Sequence, residues 1–542
     1  MKDIAAWNEG DWVAAIAAVA LFAVLAIGGV IAAKRSEEVV GHPRGLFVLF
    51  YAEMWERFSY YGMRAILILY LTKHWLFSDG DANIIYGAYT SLVYITPVLG
   101  GYLADRFLGQ RKAVVFGGFL LAMGHLLMAV EGDGSGYQSS PAVNVFWLAL
   151  AFIIVGSGFL KANISVIVGQ LYRLTDERRD GAYSIFYMGI NVGAALGSIL
   201  VGYLGETIGW GYGFGLAGIG MVIGLIVFWF GKPALNGKGE PPAPLAKGTE
   251  WTMYAIGTVA VGALWLLIQY QSVVGGLLLV SGGLLLLYML YEAFKLEKQA
   301  RDRIFAIIFL LAFQPIFWGL FEQAGGSLNL FTDRFVDRGG IPASLFQSVN
   351  AIFIVLFAPV LAWLWRTLGH KGIEPSAPAK FGYGLILVGL GFVALVWGDS
   401  AAGDAAKVSA LFILLIYWLH TMGELCLSPV GLSAMNRLSP KHLASFIMGA
   451  WFFATAGGNF VAGMIGRATG GEDGEMTRQG TVDVYGTIGW WVVGIGVVVI
   501  LVAPFVKRLM HIDTLEDRPE DALAGEDELG EPQAGGMHPA RD

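Results

Sequence analysis

The sequence predicts an all-α integral membrane protein, and two observations carry this prediction. Of the 542 residues, 56% are hydrophobic and only 14% are charged, whereas about 25% of the residues of an average soluble domain are charged. The apolar residues also form runs of the length that a helix needs to cross a bilayer, roughly 20 residues. A soluble enzyme is therefore excluded. A disordered chain is excluded too, because such chains are poor in apolar and aromatic residues.

Fifteen apolar segments have the length of a transmembrane helix. Glycine is abundant, at 75 residues, which favours closely packed helices over the short alternating strands of a barrel. In chain order the segments lie near residues 12–33, 46–73, 84–104, 113–130, 144–170, 182–205, 212–231, 252–269, 274–294, 304–331, 345–365, 381–398, 408–432, 446–466 and 485–506.

Lysine and arginine are distributed unevenly about these segments. If the linker at 34–45 is cytoplasmic and the spans alternate from there, 25 of the 35 basic residues lie on that side. Seven lie on the opposite side and three lie within spans. Short cytoplasmic loops are enriched in Lys and Arg, so we expect the N-terminus outside and the C-terminus in the cytoplasm. The first segment is predicted to be a retained anchor, because its apolar run is longer than that of a signal peptide.

Two segments about 260 residues apart carry the same pattern. Residues 97–111 and 359–371 both contain Pro-Val-Leu followed, a few residues later, by Arg-x-Leu-Gly-x-Arg/Lys. The repetition indicates two homologous halves, an arrangement of many secondary transporters that bind their substrate between the halves. The predicted organisation is an extra N-terminal helix with a linker, a six-helix bundle, a linker with an inserted helix pair, a second six-helix bundle and an acidic tail. These parts span residues 1–45, 46–231, 232–303, 304–506 and 507–542.

Ionisable residues within the predicted spans are the main functional signal. An ionised side chain in the middle of a transmembrane helix costs about 2.5 kcal/mol or more and marks a functional site by default. Glu53, Arg57, Tyr60 and Arg64 are spaced at i, i+4, i+7 and i+11, which places them on one stripe of a helix. The other ionisable residues that lie well inside predicted spans are Glu56, Lys161, Glu322 and Glu424.

These charges can be interpreted in two ways. They could pair only to hold helices together, although buried ion pairs are weak evidence for stability. Three bases and four acids across four helices favour a polar cavity instead. A buried carboxylate beside a removable positive partner can change its protonation state during a conformational cycle, which is the minimum requirement for proton coupling.

Several motifs resemble those of one known family. Residues 53–62, Glu-Met-Trp-Glu-Arg-Phe-Ser-Tyr-Tyr-Gly, resemble the E-x-x-E-R-F-x-Y-Y-G signature of the proton-dependent oligopeptide transporter family, within the major facilitator superfamily. Residues 186–194 resemble the second signature of this family, and residues 100–109 resemble the loop motif of the superfamily. Shorter similarities lie at 158–163, 321–323, 345–350, 424–429, 451–452 and 458–459.

The resemblance implies a site for a peptide with two charged ends. Arg57 and Lys161 would bind the peptide carboxylate. Glu424 would bind the amino group and would pair with Lys161 when the site is empty. Asn191 and Asn350 would hydrogen-bond the peptide backbone. Further substrate-binding residues implied by the resemblance, mainly the walls of side-chain pockets, are Tyr60, Tyr61, Tyr94, Trp318, Ser428, Trp451 and Phe452.

The resemblance also implies proton coupling. Glu322 would take a proton and pair with Arg64, while Glu53, Glu56 and Arg57 would serve proton coupling as well. The expected fold is the major facilitator fold, with two six-helix halves, an inserted helix pair and an extra N-terminal helix. The expected protein is a monomeric symporter of the bacterial inner membrane that imports di- and tripeptides with protons by alternating access. We expect no cofactor, no metal and no nucleic acid.

The chain departs from the family pattern at three places. Ala162 replaces the proline that is common after the lysine, and Gly87 stands where animal relatives have a histidine. Any proton route is therefore expected to use carboxylates. The extra N-terminal helix is not part of the usual core.

Two other functions remain open from the sequence. A related secondary carrier of nitrate or other small anions could reuse Arg57 and Lys161, although the intact E-x-x-E-R motif and Glu424 favour peptide. A membrane sensor could bind peptide without transporting it. A membrane enzyme is the least favoured, because the sequence has no catalytic constellation, no cluster with metal-ligand spacing and no phosphate-binding loop.

Overall fold

The computed structural model describes residues 38–131, 137–173, 176, 178–241, 245–403 and 406–512. The predicted first span, 12–33, and most of the predicted acidic tail lie outside the described residues.

The described chain is almost entirely helical. Four strands of two residues each form two short ladders: β1 (Glu38–Val39) pairs antiparallel with β2 (His42–Pro43), and β3 (Val336–Asp337) pairs parallel with β4 (Val408–Ser409). The helices are α1 (Arg44–Lys73), α2 (Asp79–Leu103), α3 (Gln110–Met128), α4 (Ala142–Gln170), α5 (Arg178–Thr207), α6 (Trp210–Gly231), α7 (Lys247–Leu267), α8 (Gln271–Lys295), α9 (Lys298–Phe321), α10 (Ser327–Phe335), α11 (Ser348–His370), α12 (Ala377–Ala402), α13 (Ala410–Leu438), α14 (Ala444–Thr469) and α15 (Arg478–Leu509).

The other fourteen predicted spans coincide with helices of the described chain. Thirteen spans in the described residues are long and apolar enough to cross a membrane, with α9 and α10 counted as one. Helix α1 is equally long but carries too many charges for that criterion, and most of its residues are buried by other helices. The segment predicted as one span at 304–331 is interrupted, because residues 322–325 form a 3-10 turn between α9 and α10.

Two helical bundles and a separate helix pair make up the fold. Helices α1–α6 pack together in the first half, and α9–α15 pack together in the second. Helices α7 and α8 lie against α4 and α9 respectively and are mostly exposed. The prediction of an inserted pair outside two six-helix halves is therefore confirmed.

The repeated pattern lies at equivalent places in the two halves. Pro97 is inside α2 and Pro359 is inside α11. The chain leaves the first helix at Gly109, which has a positive φ of 77°, a conformation that glycine adopts without steric cost. In the second half Gly369 is still helical and the turn comes at Gly372, with a φ of 69°.

The halves meet closely through α2 with α14 and through α5 with α11. At one of these contacts two glycines face each other: a Cβ atom at Gly87 would lie 2.7 Å from the Cα of Gly463. The absence of a histidine at position 87 thus has a structural consequence here, because only glycine allows the two backbones to come this close.

One end of the molecule is closed by bonds between the halves. We call it the closed end; it carries the loops at 74–78, 336–347 and 470–477. Arg334 binds both oxygens of Asp79 at 2.6 Å, and the backbone N–H of Gly80 donates to Gly474 at 3.0 Å. Glu206 accepts from the backbone N–H of Ser344 at 2.7 Å.

At the opposite end, which we call the open end, the inner faces of the halves reach solvent. Tyr187 on α5 is 46% exposed and Phe452 on α14 is 41% exposed. The space between the halves is therefore accessible from the open end.

Replacing Gly87 with valine should hold the closed end apart. The added side chain would overlap Gly463, and overpacking of this kind costs about 1–3 kcal/mol. We expect double electron–electron resonance between labels at Asp81→Cys and Glu472→Cys, in a Cys426→Ala background, to show a longer distance. Gly262→Val is the matched control, because a Cβ atom there meets nothing within 4 Å; an unchanged distance in Gly87→Val would contradict the prediction.

Candidate functional site

The charged stripe of α1 is buried at the centre of the first half. The backbone of α5 packs directly on this helix, since Cβ atoms at Gly193 and Gly197 would collide with the carbonyl oxygens of Met54 and Phe58. This close packing removes the stripe from lipid and turns it toward the space between the halves.

Arg57 lies between two carboxylates of its own helix. Its guanidinium binds Glu53 at 2.6 Å and approaches Glu56 at 3.2 Å. Both carboxylates are buried, at 1% and 0% exposure, and neither oxygen of Glu56 has a hydrogen-bond donor among the described residues. Two acids beside one base leave a net negative charge in a buried position.

Arg64 forms an ion pair that joins the halves. Its Nη1 lies 2.9 Å from Oε2 of Glu322, and the two residues are only 7% and 3% exposed. The guanidinium also lies 5.0 Å from the ring centroid of Tyr61. Glu322 begins the 3-10 turn that interrupts the predicted span, so the break in the helix presents this carboxylate to the first half.

Lys161 on α4 does not pair with Glu424, contrary to our expectation. Its ammonium lies 3.9 Å from the ring centroid of Tyr60 and 5.0 Å from that of Tyr94, and no acceptor for it exists among the described residues. Cation–π attraction to the two rings stabilises the charge within its own half. Because Glu424 belongs to the other half, the pair would need a different arrangement of the halves.

Glu424 on α13 is held by polar groups of the second half. The side-chain N–H of Asn350 donates to Glu424 at 3.1 Å and to Thr421 at 3.0 Å. Lys161 and Glu424 thus present opposite charges from opposite halves. Such an arrangement suits a ligand that carries one positive and one negative group.

Three of the aromatic residues predicted to line side-chain pockets, Trp318, Trp451 and Phe452, differ in their surroundings. The indole N–H of Trp318 donates to Gln314 at 2.9 Å, and Thr455 donates to the same oxygen at 3.0 Å, so the ring orientation is fixed. Phe452 is exposed toward the open end, whereas Trp451 is buried against Gly431 and Phe381 within the second half.

Three further polar residues have distinct environments. Asn191 donates to the carbonyl of Tyr187 at 3.0 Å, and Ser428 has a buried hydroxyl without a partner in the described chain. Gln323 donates to the carbonyls of Gly319 and Ala462. Gln323 therefore belongs to the interior of the second half rather than to the central space.

The structure also shows residues that sequence reasoning missed. Gln314 fixes Trp318, and its signal was a polar residue one helical turn before an aromatic one. Asp79 and Arg334 lie near span ends, where charges are common, so nothing in the sequence singled them out. His420 donates its Nε2–H to the carbonyl oxygen of Val388 at 3.1 Å and is buried within the second half.

Comparison with known proteins agrees with this geometry. The sequence profile described as the POT family matches residues 111–470. The peptide transporter YePEPT of Yersinia enterocolitica is 38% identical, over 79% of this chain and 88% of its own length. Dipeptide and tripeptide permease A of Serratia proteamaculans is 32% identical, over 89% of this chain and 95% of its own length.

A solved structure has the same architecture. The crystal structure of peptide transporter POT in complex with sulfate superposes with a TM-score of 0.77 at 34% identity. The alignment covers 89% of this chain and 98% of the other. The chain therefore belongs to the POT family.

Proposed function

We propose that this protein is a proton-coupled symporter that imports di- and tripeptides by alternating access. The observation that carries the proposal is the position of Lys161 and Glu424, which offer opposite charges from opposite halves of one solvent-accessible space. A peptide with free ends is a zwitterion and matches both. Membership of a family of transporters and similarity to a dipeptide and tripeptide permease support the same substrate class.

Peptide binding follows from the two charges and the polar groups between them. The carboxylate of the peptide binds Lys161 and Arg57, and its amino group binds Glu424. Asn191 and Asn350 supply amide groups for the peptide bond. A ligand that bridges the halves favours the arrangement in which they approach each other, as binding favours closure in other two-state proteins.

Proton coupling follows from the ion pair between Arg64 and Glu322. While Glu322 is ionised, the pair holds the halves together near the closed end. Protonation of Glu322 removes the attraction and releases this end, a local charge change that biases a two-state element. Glu53 and Glu56 provide further sites for a proton.

The distribution of Lys and Arg supports the proposed orientation in the membrane. The open end carries the loops that are rich in these residues, so we propose that it faces the cytoplasm and that this arrangement is the inward-open one. We propose the bacterial inner membrane as the location, a cytoplasmic C-terminus and a monomeric assembly.

An anion carrier is the second candidate and fits the site less well. Lys161 and Arg57 could bind nitrate, but Glu424 would face the anion without a role. A sensor that binds peptide without transporting it would share the site and would differ only in transport.

In proteoliposomes, labelled dipeptide should accumulate when a proton gradient is directed inward and should leave when a protonophore is added. The reason is that coupling requires net protonation of buried carboxylates on one side. Excess unlabelled dipeptide should compete, and nitrate should not. Binding without counterflow would indicate a sensor, and accumulation that ignores the protonophore would contradict proton coupling.

Lys161→Ala and Glu424→Ala should abolish uptake without loss of membrane insertion. Each removes a charge-assisted hydrogen bond to a peptide end, worth about 1.5–3 kcal/mol. Lys161→Ala should weaken the binding of a free peptide about tenfold or more, and that of a C-terminally amidated peptide much less. Likewise, Glu424→Ala should weaken the binding of a free peptide strongly, and that of an N-acetylated peptide much less. Lys232→Ala, an exposed lysine, is the control. Normal uptake by either variant would remove that residue from the site.

Glu322→Gln should lose proton-driven accumulation but keep exchange of peptide down its gradient. Glutamine has the shape of the protonated acid and cannot release the proton, while the peptide contacts lie elsewhere. Counterflow and gradient-driven uptake would be measured on the same vesicles. If the variant still accumulates peptide against a gradient, Glu322 is not the coupling carboxylate, and Glu53 or Glu56 becomes the better candidate.

A further inference from the structure

Three buried tyrosine hydroxyls lie close to the charged stripe of α1. Tyr60, Tyr86 and Tyr89 are 0%, 1% and 0% exposed, and none of their hydroxyl groups has a hydrogen-bond partner in the described chain. A buried tyrosine hydroxyl usually finds a partner, and an unsatisfied one calls for an explanation. Phenylalanine would fill the same space without that cost.

Tyr86 lies beside the Arg64–Glu322 pair. A Cβ atom at Gly325 would collide with its hydroxyl group, and Gly325 ends the short turn that begins at Glu322. The ring of Tyr86 therefore crosses from α2 to the turn of the second half. Its hydroxyl is within electrostatic range of both Arg64 and Glu322.

Tyr89 continues the row toward the other carboxylates. It follows Tyr86 by three residues on α2, so the two side chains share one face of the helix. Tyr89 is within electrostatic range of Tyr86, Glu56 and Arg64. Tyr60 on α1 in turn has Tyr89 and Tyr86 in range. The order along the row is thus Glu322, Tyr86, Tyr89 and Glu56, with Tyr60 at its side.

Other ionisable groups face this row from neighbouring helices. Tyr417 of α13 is in range of Tyr86, and Lys161 of α4 lies over the ring of Tyr60. Tyr61 is in range of both Tyr60 and Tyr86. The row is therefore bounded by positive groups and by other hydroxyls, and Glu322 and Glu56 are the carboxylates at its two ends.

We propose that the hydroxyl groups of Tyr86 and Tyr89 relay the proton between Glu322 and Glu56; this rests on proton-coupled transport as the function. None of these hydroxyls has a hydrogen-bond partner in the described chain, so a bound water molecule bridges each gap. The carboxyl group of Glu322 gives up its proton to the first of these waters. Each water and each hydroxyl then accepts one proton and passes its own to the next oxygen, and the carboxylate of Glu56 receives the last one. Glu322 ends ionised and Glu56 protonated, both tyrosines are unchanged, and no electrons move.

The relay connects two events that otherwise lie in different halves. Ionisation of Glu322 restores its attraction to Arg64 and closes one end. Protonation of Glu56 leaves Arg57 with a single ionised partner, Glu53, and so frees part of its positive charge for a peptide carboxylate. The proton that leaves Glu322 thereby prepares Arg57 to bind the peptide carboxylate.

The test is the pair of variants Tyr86→Phe and Tyr89→Phe, alone and together. Each removes one oxygen and keeps the ring that packs. In proteoliposomes we expect proton-driven dipeptide accumulation to fall at least tenfold, while dipeptide counterflow without a gradient stays within twofold of the unmodified protein. Tyr102→Phe is the matched control, because Tyr102 is an exposed tyrosine at the open end of the same helix.

The outcomes separate this proposal from the function on which it rests. If the unmodified protein shows no proton-driven accumulation, the proposed function fails first. If it does, and both phenylalanine variants accumulate dipeptide as well as Tyr102→Phe, the relay is wrong. Equal loss of accumulation and counterflow would also overturn it, since the hydroxyls would then support the structure or the peptide site rather than proton transfer.

Discussion

The cost of an uncompensated charge within a membrane is the constraint on which this structure depends. The ion pair between Arg64 and Glu322 meets that constraint and joins the two halves, although the two residues are 258 positions apart in the sequence. Removing one partner of a buried pair costs about 3–5 kcal/mol, because the other charge is left unpaired. The halves therefore stay together at this point for as long as both side chains are charged, and a single proton is enough to change that balance.

The glycine contacts explain how such a local change can move a whole half. Within the first half, helix α5 lies directly on α1 at Gly193 and Gly197, whereas α2 meets α14 of the other half at Gly87 and Gly463. Backbone contacts within the first half leave no flexible side chain to absorb a shift, so this half moves as a packed unit. The same closeness keeps the charged stripe of α1 out of lipid.

Some charges of the site have hydrogen-bond partners within their own half, whereas Lys161 has none in the described chain. Arg57 is bound by the acids of its own helix, and Glu424 is bound by Asn350. Lys161 has only two tyrosine rings. Its position over these rings, rather than on Glu424, leaves its charge available toward the central space, which is what a peptide carboxylate requires. The ion pair between Lys161 and Glu424, which the family resemblance implied for the protein without peptide, is thus not needed to hold this lysine in place.

The sequence by itself determined the helices and the set of buried charges. Both are local properties: the length of an apolar run predicts a span, and a charge in the middle of a run predicts a buried functional group. The family motifs then indicated the substrate class. The tertiary structure decided which groups meet, namely Asp79 with Arg334, Gln314 with Trp318, and Lys161 with tyrosine rather than with Glu424. It also decided that the helix breaks at Glu322, that Trp451 is buried and that one end is closed. These features depend on how helices from distant parts of the chain pack against each other, and a one-dimensional pattern of apolar and charged residues does not specify that packing.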